Sequence, residues 1–208
     1  MYRVAVCVGV LVFSLSGCTT MKKAECVDAD WQQVGYQDGR EGQPLSKLAG
    51  RKRACSLFGI SVDKADYRAG WTAGISEYCR PDQGLALGRA GGSTSSACPE
   101  TMADDFQRAF RLGSDLGNAE VGLKDTDQDY QRVEQALIKL EDDINDIDET
   151  VDRADSSRLK RFLLIKRGEM LRRQFERQEN QLFRLEQRRW FYRDEIQRVQ
   201  AQMEAAHL

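Results

Sequence analysis

From Asp125 to Leu208 the chain contains no proline and a single glycine, Gly168. Along that stretch Tyr130, Val133, Leu137, Leu140, Ile144, Ile147 and Val151 advance by three and four residues in strict alternation. Such a row lies along one side of a helix and forms a heptad seam, which is stable only when another helix covers it. A second, less pure row runs through Leu164, Gly168, Leu171, Phe175, Gln178, Leu182, Leu185, Arg189, Tyr192, Ile196, Val199 and Met203. The two rows are out of phase by one residue across Asp152 to Arg158. Insertions of three or four residues do not produce that offset simply. A bend or turn is therefore expected near 152–158, with Asp155 or Ser156 capping the second helix.

Charge supports a paired arrangement. Asp125 to Asp155 holds twelve acids and three bases, a net of -9, and Ser156 to Leu208 holds thirteen bases and seven acids, a net of +6. An acidic helix followed by a basic one suits an antiparallel hairpin, because side-by-side packing sets opposite charges along the seam. The alternative is one straight helix that dimerises. Helices of about 28 and about 48 residues would be unequal, the second reaching roughly 70 Å. Its overhang, around Tyr192 to Met203, is expected to meet another chain or surface. The bases between Arg158 and Arg193 could bind anionic lipid or nucleic acid, but an envelope location disfavours nucleic acid and charge pairing with the acidic helix is expected to occupy most of them.

The N-terminus indicates a compartment. Arg3 precedes an apolar run from Val4 to Phe13, too short to span a bilayer as a helix but suited to a secretory leader. Leu15-Ser16-Gly17-Cys18 follows and resembles a lipobox, in which small residues precede a cysteine acylated on sulfur. Residues 1–17 are thus expected to be removed and Cys18 to carry acyl chains of the palmitate kind, enough for stable anchoring. Thr19 follows Cys18, where aspartate would be the inner-membrane retention signal. By resemblance to lipoprotein sorting, this points to the outer membrane, facing the periplasm.

Four cysteines then remain: Cys26, Cys55, Cys79 and Cys98. An even number in an oxidising compartment reads as two disulfides. A zinc site is the rival, but its usual CxxC pairs are missing. Asp28 and Asp30 are candidate N-caps for a first helix. Pro44 after Gly42 marks a stop and restart, and Ser46 is expected to cap a second helix, Lys47 to Phe58, that ends at Gly59. Two antiparallel helices would return Cys55 to Cys26. A third helix opens at Asp63 or Asp66 and ends near Cys79, and the small-residue loop from Gly91 to Ser96 could return Cys98 to it. The preferred pairs are Cys26–Cys55 and Cys79–Cys98.

Residues 26–122 also hold fourteen of the seventeen glycines. They recur behind bulky residues: Trp31 with Gly35, Gly39 and Gly42; Tyr67 with Gly70 and Gly74; Leu85 with Gly88 and Gly91; Phe110 with Gly113 and Gly117. Steps of three or four put glycines on one helix face, at a cost of roughly 1 kcal/mol each against alanine. Close backbone approach between helices would offset that cost. Gly84 and Gly91-Gly92 are read as turns.

The ordered run Cys26, Asp30-Trp31, Gly35-Tyr36, Asp38-Gly39, Gly42, Cys55, Tyr67, Gly70, Gly74, Tyr78-Cys79, Gly84, Gly88 and Cys98-Pro99 resembles a bacterial lipoprotein family, the domain of unknown function 2799. The resemblance implies an envelope lipoprotein with a charged helical tail and brings no activity. The aromatic that the pattern leads one to expect near Gly91-Gly92-Ser93 is absent.

Candidate chemistry is sparse. His207 is the sole histidine and stands beside the C-terminus, which removes histidine-based triads and most histidine metal sites. Asp104-Asp105 and Asp142-Asp143 are adjacent carboxylates without flanking sugar-stacking aromatics. Asp125, Asp127 and Asp129 resemble half a calcium loop, but Tyr130 stands where glycine is required. Arg51-Lys52-Arg53 could meet lipid A phosphate or cell-wall carboxylate, or simply form a solvated face.

The expected fold is all-α: a small disulfide-stapled helical domain with glycine-rich packing, then a long C-terminal helical hairpin or coiled coil. The expected division is a leader at 1–17, a lipid-anchored linker at 18–25, the Cys/Gly-rich domain at 26–122 and the coiled tail at 123–208. The expected role is structural or protein-interacting, with residues 125–208 engaging the chain itself or an envelope protein. The alternative is a module that binds peptidoglycan or outer-membrane glycolipid through the disulfide domain. No enzyme activity, cofactor, metal or nucleic-acid partner is expected.

Overall fold

The computed structural model describes residues 21–153 and 158–208. The leader, Cys18 and the core of the expected turn, Asp155 and Ser156 included, lie outside them. The described residues form seven helices: α1 (Lys23–Val27), α2 (Trp31–Arg40), α3 (Lys47–Ser56), α4 (Lys64–Tyr78), α5 (Pro81–Arg89), α6 (Glu100–Arg153) and α7 (Arg158–Ala205). The chain parts into two compact units at Ser76–Glu77, inside α4.

In the first unit, Asp30 caps α2 by accepting from the Gln33 N–H at 3.0 Å. Asp63 does the same for α4, accepting from Ala65 and Asp66. Ser46 does not act as a cap: its backbone is already helical and its side chain makes no capping bond. Gly42 and Gly59 end α2 and α3 with φ of 68° and 71°, the left-handed conformation glycine takes at no steric cost. The Cys26–Cys55 bridge joins α1 to α3. Trp31, Leu48, Val62 and Tyr67 pack around it.

In the second unit, Cys79–Cys98 closes the loop that follows α5. Pro81 occupies the first position of α5, where its missing N–H costs nothing. Tyr78 holds the loop by accepting from the Ser95 N–H at 3.2 Å, and its ring lies 5.2 Å from that of Phe106.

Each unit contains one close helix crossing. Gly35 and Gly39 of α2 meet the Tyr67 and Trp71 carbonyls of α4, while Gly70 and Gly74 of α4 meet the Gln32 and Tyr36 carbonyls of α2. The same reciprocity links α5 and α6. Gly84 and Gly88 face the Phe106 and Phe110 carbonyls, and Gly113 and Gly117 face those of Leu85 and Arg89. A methyl group at any of the eight would come within 3.0 Å of a backbone oxygen. Gly84 is therefore a packing glycine inside a helix, not the turn expected from sequence. Gly91, with φ of 70°, is a turn.

The boundary expected at 122–123 falls in the middle of α6. Gly113, Gly117 and Gly122 do not break this helix, because the first two serve the crossing and the third receives the Tyr192 ring. The helix thus runs for 54 residues against 48 in α7. α6 and α7 pack as a hairpin. Val133, Leu137, Leu140 and Ile147 of α6 and Gly168, Leu185 and Val199 of α7 are buried along its seam. Register is marked by Tyr192 on Gly122, by Arg189 4.4 Å above the Tyr130 ring and ion-paired with Asp127 at 2.5 Å, and by Arg172 on Asp148. The overhang expected beyond a short first helix is not present: the C-terminal Ala206–Leu208 lies beside Asp105, Arg108 and Leu112 of α6.

Candidate functional site

The one deeply buried charged side chain among the described residues is Asp38, 1% exposed. It shares the buried side of α2 with Trp31, Gly35 and Gly39. An ionised carboxylate there needs partners, because its desolvation is costly. Four donors supply them. Arg51 Nη2 at 2.6 Å and Lys47 Nζ at 2.9 Å reach Oδ1, while Arg51 Nε at 2.5 Å and the Tyr67 hydroxyl at 2.7 Å reach Oδ2. The guanidinium grips both oxygens, the strongest form of this contact. Lys47 and Arg51 are one turn apart on α3, so α3 presents both to α2, and Tyr67 comes from α4. One carboxylate thereby ties three helices together, close to the Cys26–Cys55 bridge.

The electrostatics agree with the geometry. Burial pushes the Asp38 carboxyl up, but the hydrogen bonds from Arg51, Tyr67 and Lys47 and the Arg51 charge outweigh it and hold its pKa below the ordinary 3.8. Burial, then the bond to Asp38, raises the Tyr67 phenol above its ordinary 10.0. Asp38 is therefore ionised and Tyr67 neutral at neutral pH. With four donors on two oxygens, Asp38 has no acceptor capacity left for a reacting proton. The cluster is built as a clamp.

Beside it lies an open groove of about 680 Å³ in the first unit. Met21, Ala24, Ala29 and Val34 give it apolar walls, and Glu25, Asp28, Gln37 and Glu41 stand with Lys47 and Arg51 as its polar groups. This is within the size range of small-ligand sites. Two of the carboxylates already have partners: Glu25 accepts from the Lys22 N–H at 2.9 Å and Glu41 from the Gln37 amide at 2.7 Å.

The residues singled out from sequence are dispersed. The basic triplet splits, with Arg51 turned inward onto Asp38 and Lys52 and Arg53 exposed. Asp125, Asp127 and Asp129 lie within α6, so they form no loop; Asp127 pairs with Arg189 and Asp129 with Arg132. Asp104, Asp142 and Asp143 are exposed, and Asp105 pairs with Arg108. His207 is exposed at the end of the chain, next to a groove with Arg80 and Asp105. Sequence reasoning missed the clamp. Its signal was an acid at a step of three from Gly35 and seven from Trp31, on the face that otherwise carries only glycine and an aromatic.

Residues 30–115 match the model of a family described as Protein of unknown function (DUF2799). This family domain spans α2 to α5 and the first part of α6. It includes all four members of the clamp, while Cys26 and most of the hairpin lie beyond it. Neither the curated proteins nor the solved structures include a match to the chain.

Proposed function

We propose that this protein is a lipoprotein held by Cys18 on the periplasmic face of the outer membrane, where it acts structurally by presenting its helical hairpin to another envelope protein or to a second copy. The observation that carries the interaction role is the surface of α7. Phe183, Trp190 and Phe191 are each more than half exposed, and aromatic residues of this kind form the energetic centres of protein interfaces. The Leu15-Ser16-Gly17-Cys18 sequence supports the anchor. Two disulfides support an oxidising compartment. The saturation of Asp38 supports a role without catalysis.

Crosslinking in living cells tests this reading, with photoreactive residues placed at Phe183, Trp190 and, as an exposed control, Asp143. The expected result is a discrete adduct, with an envelope protein or a second copy, from the two aromatic positions and none from the control. Adducts from none of them would contradict it. A second reading, in which the disulfide domain binds peptidoglycan or outer-membrane glycolipid, is favoured by the groove beside Arg51. Its test is co-sedimentation of the full chain with purified cell wall, with and without Lys47→Ala.

A further inference from the structure

We propose that the turn end of the hairpin, residues 158–173 of α7, docks on an anionic lipid surface. The inference does not depend on acylation of Cys18.

Leu159, Phe162, Leu163, Lys166, Met170 and Arg173 recur at helical steps on one side of α7. The opposite side carries the seam residues Leu164, Gly168, Leu171 and Phe175, all buried or half-buried against α6. No described residue covers the outward side: Leu159, Phe162, Leu163 and Met170 are each more than half exposed. This is an apolar stripe on a hairpin whose own seam is already filled.

Charge identifies the occupant. Residues 158–173 hold seven bases, Arg158, Lys160, Arg161, Lys166, Arg167, Arg172 and Arg173, against one acid, Glu169. The expected neutralisation by α6 is largely absent. Arg172 pairs with Asp148, and Lys166 pairs with Glu169 on its own helix. Arg158, Lys160, Arg161, Arg167 and Arg173 have no ion-pair partner among the described residues. Aromatic and aliphatic side chains flanked by unpaired bases suit the headgroup boundary of an anionic bilayer. The apolar side chains enter the acyl edge while the long basic stems reach lipid phosphates. The Lys166 ammonium already lies 5.9 Å from the Phe162 ring centroid, so charge and insertion group share one spot. Residues 141–152 of α6 carry seven acids and no base. The tip is therefore polarised, and only its α7 side can approach anionic lipid.

The test is vesicle flotation with the chain from Thr19 to Leu208, which keeps every described residue and lacks the leader and the acylation site. Vesicles of phosphatidylglycerol in phosphatidylcholine are compared with phosphatidylcholine alone. Partitioning should be at least about tenfold stronger onto the anionic vesicles and should weaken as salt rises. R158Q/K160Q/R161Q/R167Q should abolish that preference, and F162S/L163S should reduce binding to both vesicle types. These side chains are exposed, so helix content by circular dichroism should not change. F183A/W190A should bind lipid normally, which separates this surface from the one assigned to a protein partner. Equal binding to both vesicle types, or full binding by the two tip variants, overturns the proposal. So does a dimer in solution that F162S/L163S dissolves, because the stripe would then belong to a second copy.

Discussion

At the scale of single residues, Asp38 gathers Arg51, Lys47 and Tyr67 onto one buried carboxylate. Its folded-state pKa lies below 3.8. The stability it contributes is therefore present above the unfolded-state value and is lost as pH falls through the lower folded-state value. Tyr67 works at the other end. Its pKa is raised above 10.0, so its contribution holds below the unfolded value and fades as pH rises beyond it. Asp38→Asn leaves Arg51 and Lys47 facing a neutral amide, and breaking one side of a buried ion pair costs roughly 3 kcal/mol. Urea unfolding midpoints across pH test this. The gap between wild type and Asp38→Asn should be full at neutral pH and narrow below about pH 4. A gap independent of pH would show that the residue acts through packing alone.

At the scale of elements, two helix crossings are built from glycines on both partners, and backbone meets backbone there. Gly70→Ala pushes a methyl into the Gln32 carbonyl, with no flexible side chain able to yield. The cost should be at least about 3 kcal/mol, at or above the upper end for overpacking. Gly50→Ala is the control. Gly50 lies inside α3 with nothing within 4 Å of the added carbon, so alanine should stabilise by about 0.5–1 kcal/mol. Thermal unfolding of the two variants checks both signs. Much of this was legible beforehand, because glycines at helical steps behind aromatics leave few other uses, and the heptad rows marked the hairpin seam. The structure contains bridges at Cys26–Cys55 and Cys79–Cys98; the first pairing was preferred from two returning helices and the second from the small-residue loop between Gly91 and Ser96. Gly84 was misread because a glycine three residues after Pro81 looks like a turn, whereas Pro81 starts a helix. The 54-residue span of α6 was hidden because its heptad row begins only at Tyr130, so the glycine-faced helix before it and the seam helix after it read as separate elements. Sequence charge counts overstated the cross-hairpin ion pairs, because exposed long side chains gain little from pairing across a seam. The Asp38 clamp was hard to read since its donors, Lys47, Arg51 and Tyr67, sit on two other helices and meet it only in the fold.

At the scale of the whole molecule, the chain combines two compact units, each with its own bridge and its own glycine crossing. Units this small have limited apolar cores. Loops separated by 29 and 19 residues make each bridge worth about 3–4 kcal/mol in the chain-entropy picture. Such a design depends on a compartment that keeps thiols paired, which is where the proposed anchor would place it. The hairpin then has exposed aromatic surface along α7 and a basic tip in which five of seven bases have no ion-pair partner among the described residues. On the proposed reading, one surface meets protein and the other lipid, while the N-terminus is held by acyl chains. The intact mass of the protein purified from cell envelopes, before and after thiol alkylation, tests that reading most directly. The account predicts a chain that begins at an acylated Cys18 and takes up no alkylating reagent at Cys26, Cys55, Cys79 or Cys98. A chain that retains Met1, with those four thiols open to alkylation, would contradict it.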